Sequence, residues 1–402
     1  MIDAEELPSG WKLRKLGEVA EVASGTTAPQ GSEYFEGGAF PFVRAQDVGR
    51  YGRTSCLTET KDRVNTRAVA EKRLKLARKG AVLFPKSGAS ILTNSRAKLG
   101  VDAYVVSHLA IVEALPQFLD DDFLYHWLCT LDMTESAQSE EGYPSLRLSD
   151  ISAFEIPVPP LAEQRRLVAR IEALTSRLEQ ARQARQAALA EAESVQAAAL
   201  AAAFEGDDDW IDTTLGEVCT MKTGKTPPTK QPEYFGGDVP FVCPADLGGS
   251  LRITTAERTL TPRAITDGKA NLFPRGTVLL VGIGSTVGKV GLAADDLCTN
   301  QQITGLTFPG VEPDFAAWFL VSQRAIIENA ASDGGVPIIN QSGMSQLAFR
   351  FPRDRSEQRR IVARLDALAA KQAELRRLQT ETEAALAAFT PALLAKAFRG
   401  GL

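Results

Sequence analysis

The residues best suited to chemistry are the glycines, hydroxyls and lysine of Gly282–Val290, which read GIGSTVGKV. A phosphate-binding loop needs a glycine six residues before its lysine and a serine or threonine directly after it, because that hydroxyl holds Mg²⁺. Here Ile283 occupies the glycine position and Val290 follows Lys289. The sequence therefore excludes a nucleotide-hydrolysing site and predicts only an exposed polar turn around Ser285 and Thr286.

Residues for metal binding or nucleophilic catalysis are also scarce. His108 and His126 are the only histidines, and their apolar neighbours favour a core or half-buried position for both. An odd number of cysteines without CxxC spacing predicts reduced, mostly buried thiols in a cytoplasmic protein; they are Cys56, Cys129, Cys219, Cys243 and Cys298. Neither a cofactor fingerprint nor an Asn/Asp-Pro-Pro-aromatic methylation motif occurs. We therefore expect no catalytic residue, no metal and no cofactor in this chain.

Charge is distributed unevenly along the chain. The formal net charge is −5, yet Arg44–Lys98 contains 14 Lys and Arg residues against Asp47, Glu59, Asp62 and Glu71. A localised basic face on an acidic protein can still bind phosphates, although a solvated surface explains the charge equally well. No apolar run approaches membrane-spanning length, so we expect no membrane partner.

A long helix is predicted between Glu163 and Gly206, where no proline or glycine interrupts a segment rich in Ala, Glu, Gln and Arg. Pro159 and Pro160 precede it, as is typical of a helix start. Apolar residues at alternating steps of four and three predict a heptad seam; its larger members are Leu167, Ile171, Leu174, Leu178 and Val195.

The same helix is predicted a second time. EQRRLVARIEAL at Glu163–Leu174 returns as EQRRIVARLDAL at Glu357–Leu368, an offset of 194 that still holds near the helix ends. The second seam includes Ile361, Leu365, Leu368, Leu375, Leu386 and Phe389. Bulky residues of one seam match small residues of the other when the helices run antiparallel, so we predict an antiparallel coiled coil. The alternative is that each helix packs only on its own domain.

The regions between the helices are also duplicated. LGEV at Leu16 recurs at Leu215, and SGTTAP at Ser24 is matched by TGKTPP at Thr223. Short apolar runs with Gly, Pro and Asn turns predict α+β domains of mixed, mostly antiparallel sheet with a few helices. We predict domains at 1–156 and 207–352 and helical regions at 157–206 and 353–402, with linkers at Glu205–Trp210 and Phe351–Ser356. Single helices are predicted at Asp122–Leu131 and Asp314–Ile327.

These motifs resemble the specificity subunit of type I restriction–modification enzymes. The resemblance lies in PVPPLAEQRR at Pro157–Arg166, its shorter copy at Glu357–Arg360, the LGEV openings and STVGKV at Ser285–Val290, and it covers nearly the whole chain. The second helix lacks the paired prolines, so its entry is expected to differ. SGASILTNSRAKLG in the first half lacks the Gly-Lys turn of the second, so the two turns need not do the same job.

The resemblance implies a DNA-recognition subunit without catalytic activity. Such a subunit binds a bipartite site on double-stranded DNA, one half-site per target-recognition domain, with a gap set by the helices. It docks methyltransferase subunits, of which we expect two. S-adenosylmethionine and ATP are expected on partner subunits, and restriction subunits complete the nuclease.

Candidate DNA contacts combine the basic stretch with the polar turns. In the first domain they are Arg44, Gln46, Arg50, Arg53, Lys86, Arg96 and Lys98, and in the second Lys225, Arg252, Ser285, Thr286 and Lys289. Two other classes of function remain open. One is a non-catalytic coiled-coil scaffold that binds protein partners, and the other is an enzyme with an unrecognised site.

Overall fold

The computed structural model describes residues 7–51, 56–136, 138–140, 143–206, 209–332 and 335–402. The chain divides into two compact units, the first formed by Met1–Ala184 and Thr380–Leu402 and the second by Arg185–Gln379. Each unit contains one α+β domain and segments of both long helices. The fold class is as predicted, because most strand pairs are antiparallel and helices pack against the sheets.

The first domain opens and closes with strands that pair with each other, β1 and β12. Its strands are β1 (Lys12–Lys15), β2 (Ala20–Ser24), β3 (Phe40–Val43), β4 (Asp62–Val64), β5 (Leu76–Ala77), β6 (Val82–Pro85), β7 (Ala97–Lys98), β8 (Ala103–Val105), β9 (Leu109–Ala114), β10 (Gln138–Glu140), β11 (Tyr143–Ser145) and β12 (Glu155–Val158). Its helices are α1 (Leu16–Val19), α2 (Ala45–Tyr51), α3 (Thr66–Lys72), α4 (Asp121–Leu128), α5 (Met133–Ser136) and α6 (Leu148–Ser152).

Two four-stranded sheets form the body of this domain, in the orders β2-β9-β6-β7 and β4-β3-β8-β5. Alternation along β6 explains how they pack. Val82 and Phe84 face a core shared with α4, while Leu83, between them, joins the core of the second sheet. Successive strand residues point to opposite faces, so a strand buried on both sides is apolar throughout.

The second domain repeats this plan. Its strands are β13 (Trp210–Thr214), β14 (Thr220–Thr223), β15 (Phe235–Val242), β16 (Arg252–Ile253), β17 (Arg258–Leu260), β18 (Leu272–Phe273), β19 (Val278–Val281), β20 (Val290–Ala293), β21 (Leu297–Thr299), β22 (Ile303–Thr307) and β23 (Ala348–Pro352). The helices are α8 (Leu215–Val218), α9 (Pro262–Thr266), α10 (Pro313–Ser322), α11 (Arg324–Ala330) and α12 (Gln341–Ser345). The sheet orders are β14-β22-β19-β20-β16 and β17-β15-β21-β18.

Two details of this domain differ from the sequence prediction. The single helix predicted at Asp314–Ile327 is two helices, α10 and α11, divided at Gln323. The predicted linker at Phe351–Ser356 is partly strand, since Phe351 and Pro352 belong to β23 and pair with β13. The pairing gives the backbone polar groups of this segment partners within the domain.

The long helices are α7 (Leu161–Ala203) and α13 (Arg355–Ala397). In the first unit they run antiparallel, with Leu167 and Ile171 of α7 in one core with Leu393 and Phe398. In the second unit Leu200 and Ala203 likewise pack with Ile361 and Leu365. The antiparallel pairing predicted from the two seams is therefore present within each unit.

Each helix ends with a phenylalanine in the domain core of its unit. The ring of Phe398 lies 5.0 Å from that of Phe123 on α4. Phe204, at the matching position of the repeat, lies 5.4 Å from Phe315 on α10. Apolar packing, supplemented by these edge-on ring contacts, fastens the ends of the helices to the domains.

Beyond Leu178 the helix follows the predicted seam only in part: Arg185, Ala192 and Ala199 are half-buried, whereas the alanines at 181, 188 and 202 are exposed. Leu167, Ile171 and Leu178 are buried and Leu174 is half-buried, whereas Val195 is 52% exposed. The half-buried face also includes Leu189 and Leu200.

On α13 the predicted seam residues are buried or half-buried over a longer stretch of the helix. Ile361 and Leu365 are buried, and Leu368, Leu375 and Leu386 are half-buried. Phe389 is an exception at 39% exposure.

All five cysteines are free, but only Cys298 is buried and the other four are half-buried. In the described part of the chain, no helix has the length and apolarity required to cross a membrane.

Candidate nucleic-acid interface

The polar turn of Gly282–Val290 connects β19 to β20. Gly284 and Gly288 have φ values of 104° and 83°, which glycine adopts readily. Ser285 is exposed and Thr286 half-buried. Lys289 faces inward, and its Nζ donates to the carbonyl oxygens of Leu247 at 2.8 Å and Pro244 at 3.3 Å. Lys289 therefore ties this turn to a neighbouring loop, and among these predicted contacts only Ser285 is fully available to a ligand.

Arg96 and Lys98 are held inside the first domain, contrary to the prediction. Arg96 is 6% exposed, and its guanidinium donates to Asn94 O at 2.9 Å, to Asn94 Oδ1 at 3.0 Å and to Leu131 O. Burial lowers the pKa of this guanidinium from its usual range. Lys98 forms an ion pair with Asp122. Lys98 and both terminal nitrogens of Arg96 have partners within the domain, and Arg96 Nε, which has none among the described residues, is buried, so neither cation is readily available to DNA.

Two further predicted arginines are paired with carboxylates. Arg44 forms an ion pair with Asp62 and lies 5.6 Å from the ring centre of Phe42. Arg252 bridges Asp314 at the start of α10 and Asp366 of α13, the latter at 2.9 Å. The hydrogen bond to Asp366 is the main cause that raises the pKa of Arg252. Arg252 therefore fastens an edge strand to two helices of the second unit.

The other predicted contacts of the first domain differ in solvent exposure. Gln46 and Arg50 lie exposed on α2. Lys86 is half-buried, and its backbone N–H donates to His108 O at 2.9 Å. Arg53 lies outside the described residues. Charge alone predicted these positions, and burial separates the accessible side chains from the internal ones.

A more accessible group of cations lies where α3 meets the edge strand β5. Lys72, Arg73 and Lys75 are all exposed, and within the described part of the chain none forms an ion pair. The backbone N–H of Lys75 donates to Thr26 Oγ1 at 2.7 Å, which places it beside the Gly-Thr loop after β2. The neighbouring carboxylate, Glu71, is occupied by Arg67 at 2.8 Å.

The second domain has cations in the equivalent place. Lys225, in the second Gly-Thr loop, is exposed and its Nζ donates to Gly268 O, next to Lys269. The local carboxylate, Asp267, is again occupied, here by Arg263 at 3.2 Å. We call Lys72, Arg73 and Lys75, together with Lys225 and Lys269, the cationic rim. Of these, the sequence prediction had included only Lys225, although the run KRLKLARK was visible.

A hydrogen bond common to the two domains supports this equivalence. Tyr34 Oη donates to Glu71 at 2.9 Å in the first domain, and Tyr234 Oη donates to Asp267 at 3.2 Å in the second. The same tyrosine–carboxylate pair therefore stands next to the cations in both repeats. The pair is present in both domains although their sequences differ.

Neither histidine belongs to a candidate metal site within the described residues, where no group of three or more potential metal ligands occurs. His126 is half-buried, and burial, with the nearby Lys98, lowers its pKa from 6.5 to about 4. His108 is exposed, against the prediction, and its Nδ1 lies 2.9 Å from Ser87 Oγ.

Comparison with known proteins matches this duplicated arrangement. The family model of the "Type I restriction modification DNA specificity domain" matches residues 8–186 and again residues 207–384. The chain is 31% identical over 161 residues to the type I restriction enzyme MjaIX specificity subunit of Methanocaldococcus jannaschii, which is 39% of this chain and 35% of that protein. It is 22% identical over 432 aligned positions to the StySPI specificity subunit of Salmonella potsdam, covering 99% of this chain and 90% of that protein.

Solved structures share the whole architecture. The HsdS subunit from Thermoanaerobacter tengcongensis matches with a TM-score of 0.65 and 27% identity, covering 98% of both chains. A chain from the structural study of complex assembly and conformational transition of the type I R-M system matches with a TM-score of 0.76 and 27% identity, covering 98% of this chain and 99% of that one. Both domains and both long helices are included, and the chain belongs to the type I restriction–modification DNA specificity family.

Proposed function

We propose that this chain recognises a bipartite DNA site, with one half-site read by each domain and a gap set by the long helices, and that it docks methyltransferase subunits. The observation that carries the proposal is the duplicated specificity domain, matched separately in the two halves of the chain. The two domains differ in sequence between their shared anchors, so two unrelated half-sites are expected.

The DNA contacts that we propose begin with the cationic rim. Its carboxylate neighbours are already paired, so the charge of the exposed Lys72, Arg73 and Lys75 is available to phosphates. In the second domain Lys225 also donates to Gly268 O and Lys269 is half-buried, so their contacts with phosphate are expected to be weaker. Phosphate contacts position a protein on the duplex, while polar side chains at base edges supply specificity. Exposed polar residues that suit base edges are Gln46 and Ser285, and Arg50 suits either partner.

The spacer role is supported by the equal lengths of the helices, since α7 and α13 each contain 43 residues. Their matching segments keep an offset of 194 without insertion or deletion. A helix rises 1.5 Å per residue, so conserving the residue count conserves the distance that the helix spans. Two recognition modules on one duplex face read grooves about one turn, roughly 34 Å, apart.

A groove on the helix pair of the second unit supports docking of a methyltransferase subunit. It has a volume of about 310 Å³ and lies between Ala188, Ala192 and Val195 of α7 and Leu368 and Leu375 of α13. Small alanines leave room for an apolar side chain from a partner helix. Gln372 also lines the groove, and its buried Nε2 has no acceptor among the described residues. A partner would gain from covering Val195 and accepting that hydrogen bond.

We further propose that the chain itself is not catalytic. S-adenosylmethionine and ATP would bind to methyltransferase and restriction subunits, and the complex would act in the cytoplasm. A structure described as showing complex assembly of the type I R-M system is similar to this chain over nearly its full length, which supports such partners.

The deciding experiment reads the methylated motif of the host genome by modification-sensitive sequencing, before and after deletion of this chain. Deletion should abolish methylation of a motif with two half-sites and a fixed gap. Replacing residues 1–156 with the corresponding domain of a relative should then change one half-site and leave the other half-site and the gap unchanged. Persistence of all genomic methylation after deletion would contradict the proposal and favour a scaffold.

A further inference from the structure

Both long helices contain the sequence Glu-Gln-Arg-Arg from their third residue, and its glutamine is completely buried in each case. Gln164 on α7 and Gln358 on α13 are both 0% exposed. A buried amide is unfavourable unless its donors and acceptor are satisfied. The same polar residue at the same helical position in two diverged repeats therefore calls for a specific set of partners.

In the first unit, Gln164 joins α7 to the N-terminus of α4. Its Oε1 accepts a hydrogen bond of 2.8 Å from the backbone N–H of Asp120. Its Nε2 donates to Phe118 O and Pro159 O, each at 2.8 Å. Asp120 is the residue that caps α4, since its side chain accepts from Asp122 N at 3.1 Å. One amide thus holds the helix cap, the loop before it and the entry to α7.

The second unit contains the same connection. Gln358 Oε1 accepts from the backbone N–H of Glu312 at 2.8 Å, and its Nε2 donates to Pro352 O at 2.8 Å. Glu312 occupies the cap position of α10. The next residue adds an ion pair, since Arg359 Nη2 lies 2.9 Å from Glu312 Oε1.

The corresponding ion pair of the first unit joins Arg165 Nε to Asp120 Oδ2, at 3.8 Å. The EQR anchor is therefore Gln164 with Arg165 in one repeat and Gln358 with Arg359 in the other. The paired prolines that precede α7 are absent before α13, yet the anchor is present in both repeats.

The helices whose caps the EQR anchor binds, α4 and α10, are also the helices that pack each recognition domain on its long helix. Phe123 of α4 shares a core with Leu167 of α7, and Phe315 of α10 shares one with Ile361 of α13. Apolar packing is non-directional, so it tolerates small rotations of one helix on another. Hydrogen bonds to a planar amide require defined distances and angles, so they fix that rotation.

We propose that Gln164 and Gln358 are positioning residues that fix the orientation of each recognition domain on its long helix, and thereby make the protein selective for one gap length. This inference rests on the proposed function of the two domains as readers of separated half-sites. Without the anchor, a domain held by apolar packing alone would rotate over a range of angles and accept neighbouring gap lengths.

The test uses the complex with its methyltransferase subunits and duplexes with the same half-sites and gaps one base pair shorter, equal or one longer. Gln164→Met and Gln358→Met replace each amide with an apolar side chain of similar length. We expect each variant to narrow the ratio of methylation rates between the native and altered gaps by about tenfold, the scale of one or two lost hydrogen bonds. Arg165→Ala and Arg359→Ala, at exposed positions that do not threaten folding, should narrow it in the same direction but less.

A matched control separates positioning from stability. Phe42→Leu lies in the core between the two sheets of the first domain and should lower thermal stability while leaving the gap ratio unchanged. If the glutamine and arginine variants keep the wild-type ratio, the positioning role is refuted even if their melting temperatures fall. If the wild-type complex itself methylates all gap lengths equally, the proposed bipartite function fails, and the role of the anchor in gap selection fails with it.

Discussion

Neutralising the cationic rim of the first domain should weaken DNA binding in a way that identifies phosphate contacts. The change is Lys72→Ala, Arg73→Ala and Lys75→Ala in one variant. All three side chains are exposed and lack an ion pair in the described part of the structure, so their removal should cost little stability. The backbone bond from Lys75 to Thr26 is retained, because it does not use the lysine side chain.

The size of the effect follows from counterion release. Each phosphate contact contributes about 0.9 to the slope of log affinity against log salt. Loss of three contacts should therefore flatten the slope by about 2.7. Between about 50 and 200 mM salt, the wild-type complex should lose about 40-fold more affinity than the variant. Fluorescence anisotropy on a duplex carrying the methylated motif measures both quantities in the complex with methyltransferase subunits.

A variant with the same charge change elsewhere provides the comparison. Arg170, Arg177 and Arg364 are exposed on the long helices, and their replacement by alanine should leave the slope near the wild-type value. Equal slopes for the rim variant and the wild-type protein would refute the assignment of the rim to phosphate contacts. An equal reduction of the salt slope in both variants would show that the slope depends on net charge and not on the position of the cations.

Four other outcomes are expected. Val195→Asp should abolish copurification with methyltransferase subunits, because a carboxylate would enter the apolar groove, whereas Ala201→Asp on the exposed side of α7 should not. Arg96→Met should destabilise the first domain by about 3 kcal/mol in thermal unfolding, since it leaves buried carbonyls unpaired, and should not alter the salt slope. His126 has a pKa lowered to about 4, so the stability that depends on its neutral form is complete above the unfolded pKa near 6.5 and is lost as pH falls toward 4. In urea unfolding, the free energy of unfolding should fall by about 1.4 kcal/mol per pH unit between these two values. His126→Phe should remove this pH dependence. Inserting one heptad after Ala188 adds about 10 Å, or about three base pairs, so methylation should fail at the original gap or shift to a longer one, whereas an unchanged motif at full rate would show that the helices are not the spacer.

Short apolar runs predicted strands in the domains correctly. The run Ala81–Pro85 is apolar at every position, which is typical of a strand buried on both faces, and β6 has a helix-facing core on one side and a second sheet on the other. The repeated EQRR segments predicted both long helices and their antiparallel pairing. The seam was less predictable beyond Leu178, because its positions there are mostly alanines, whose small side chains do not distinguish the packed face from the exposed one.

The availability of the candidate DNA-contact residues could not be predicted from the sequence. Arg96, Lys98, Arg44 and Arg252 were selected for charge, yet each donates to a carbonyl or carboxylate that is distant in the sequence. The sequence does not indicate whether folding brings a hydrogen-bond acceptor close to a given cation. Lys72 and Lys75 lie in the same basic stretch, and only the folded structure shows that they are exposed without an ion pair among the described residues.

The sequence by itself therefore determined the duplication, the fold class, the helical regions and the family, since these depend on patterns of apolar residues and motifs along the chain. Tertiary structure alone decided which cations remain available, because availability depends on partners brought together from separate elements. It also gave the buried glutamines their roles. Gln164 and Gln358 were part of the motif that marked the family, but only the folded chain places the caps of α4 and α10 within hydrogen-bonding distance of their amides.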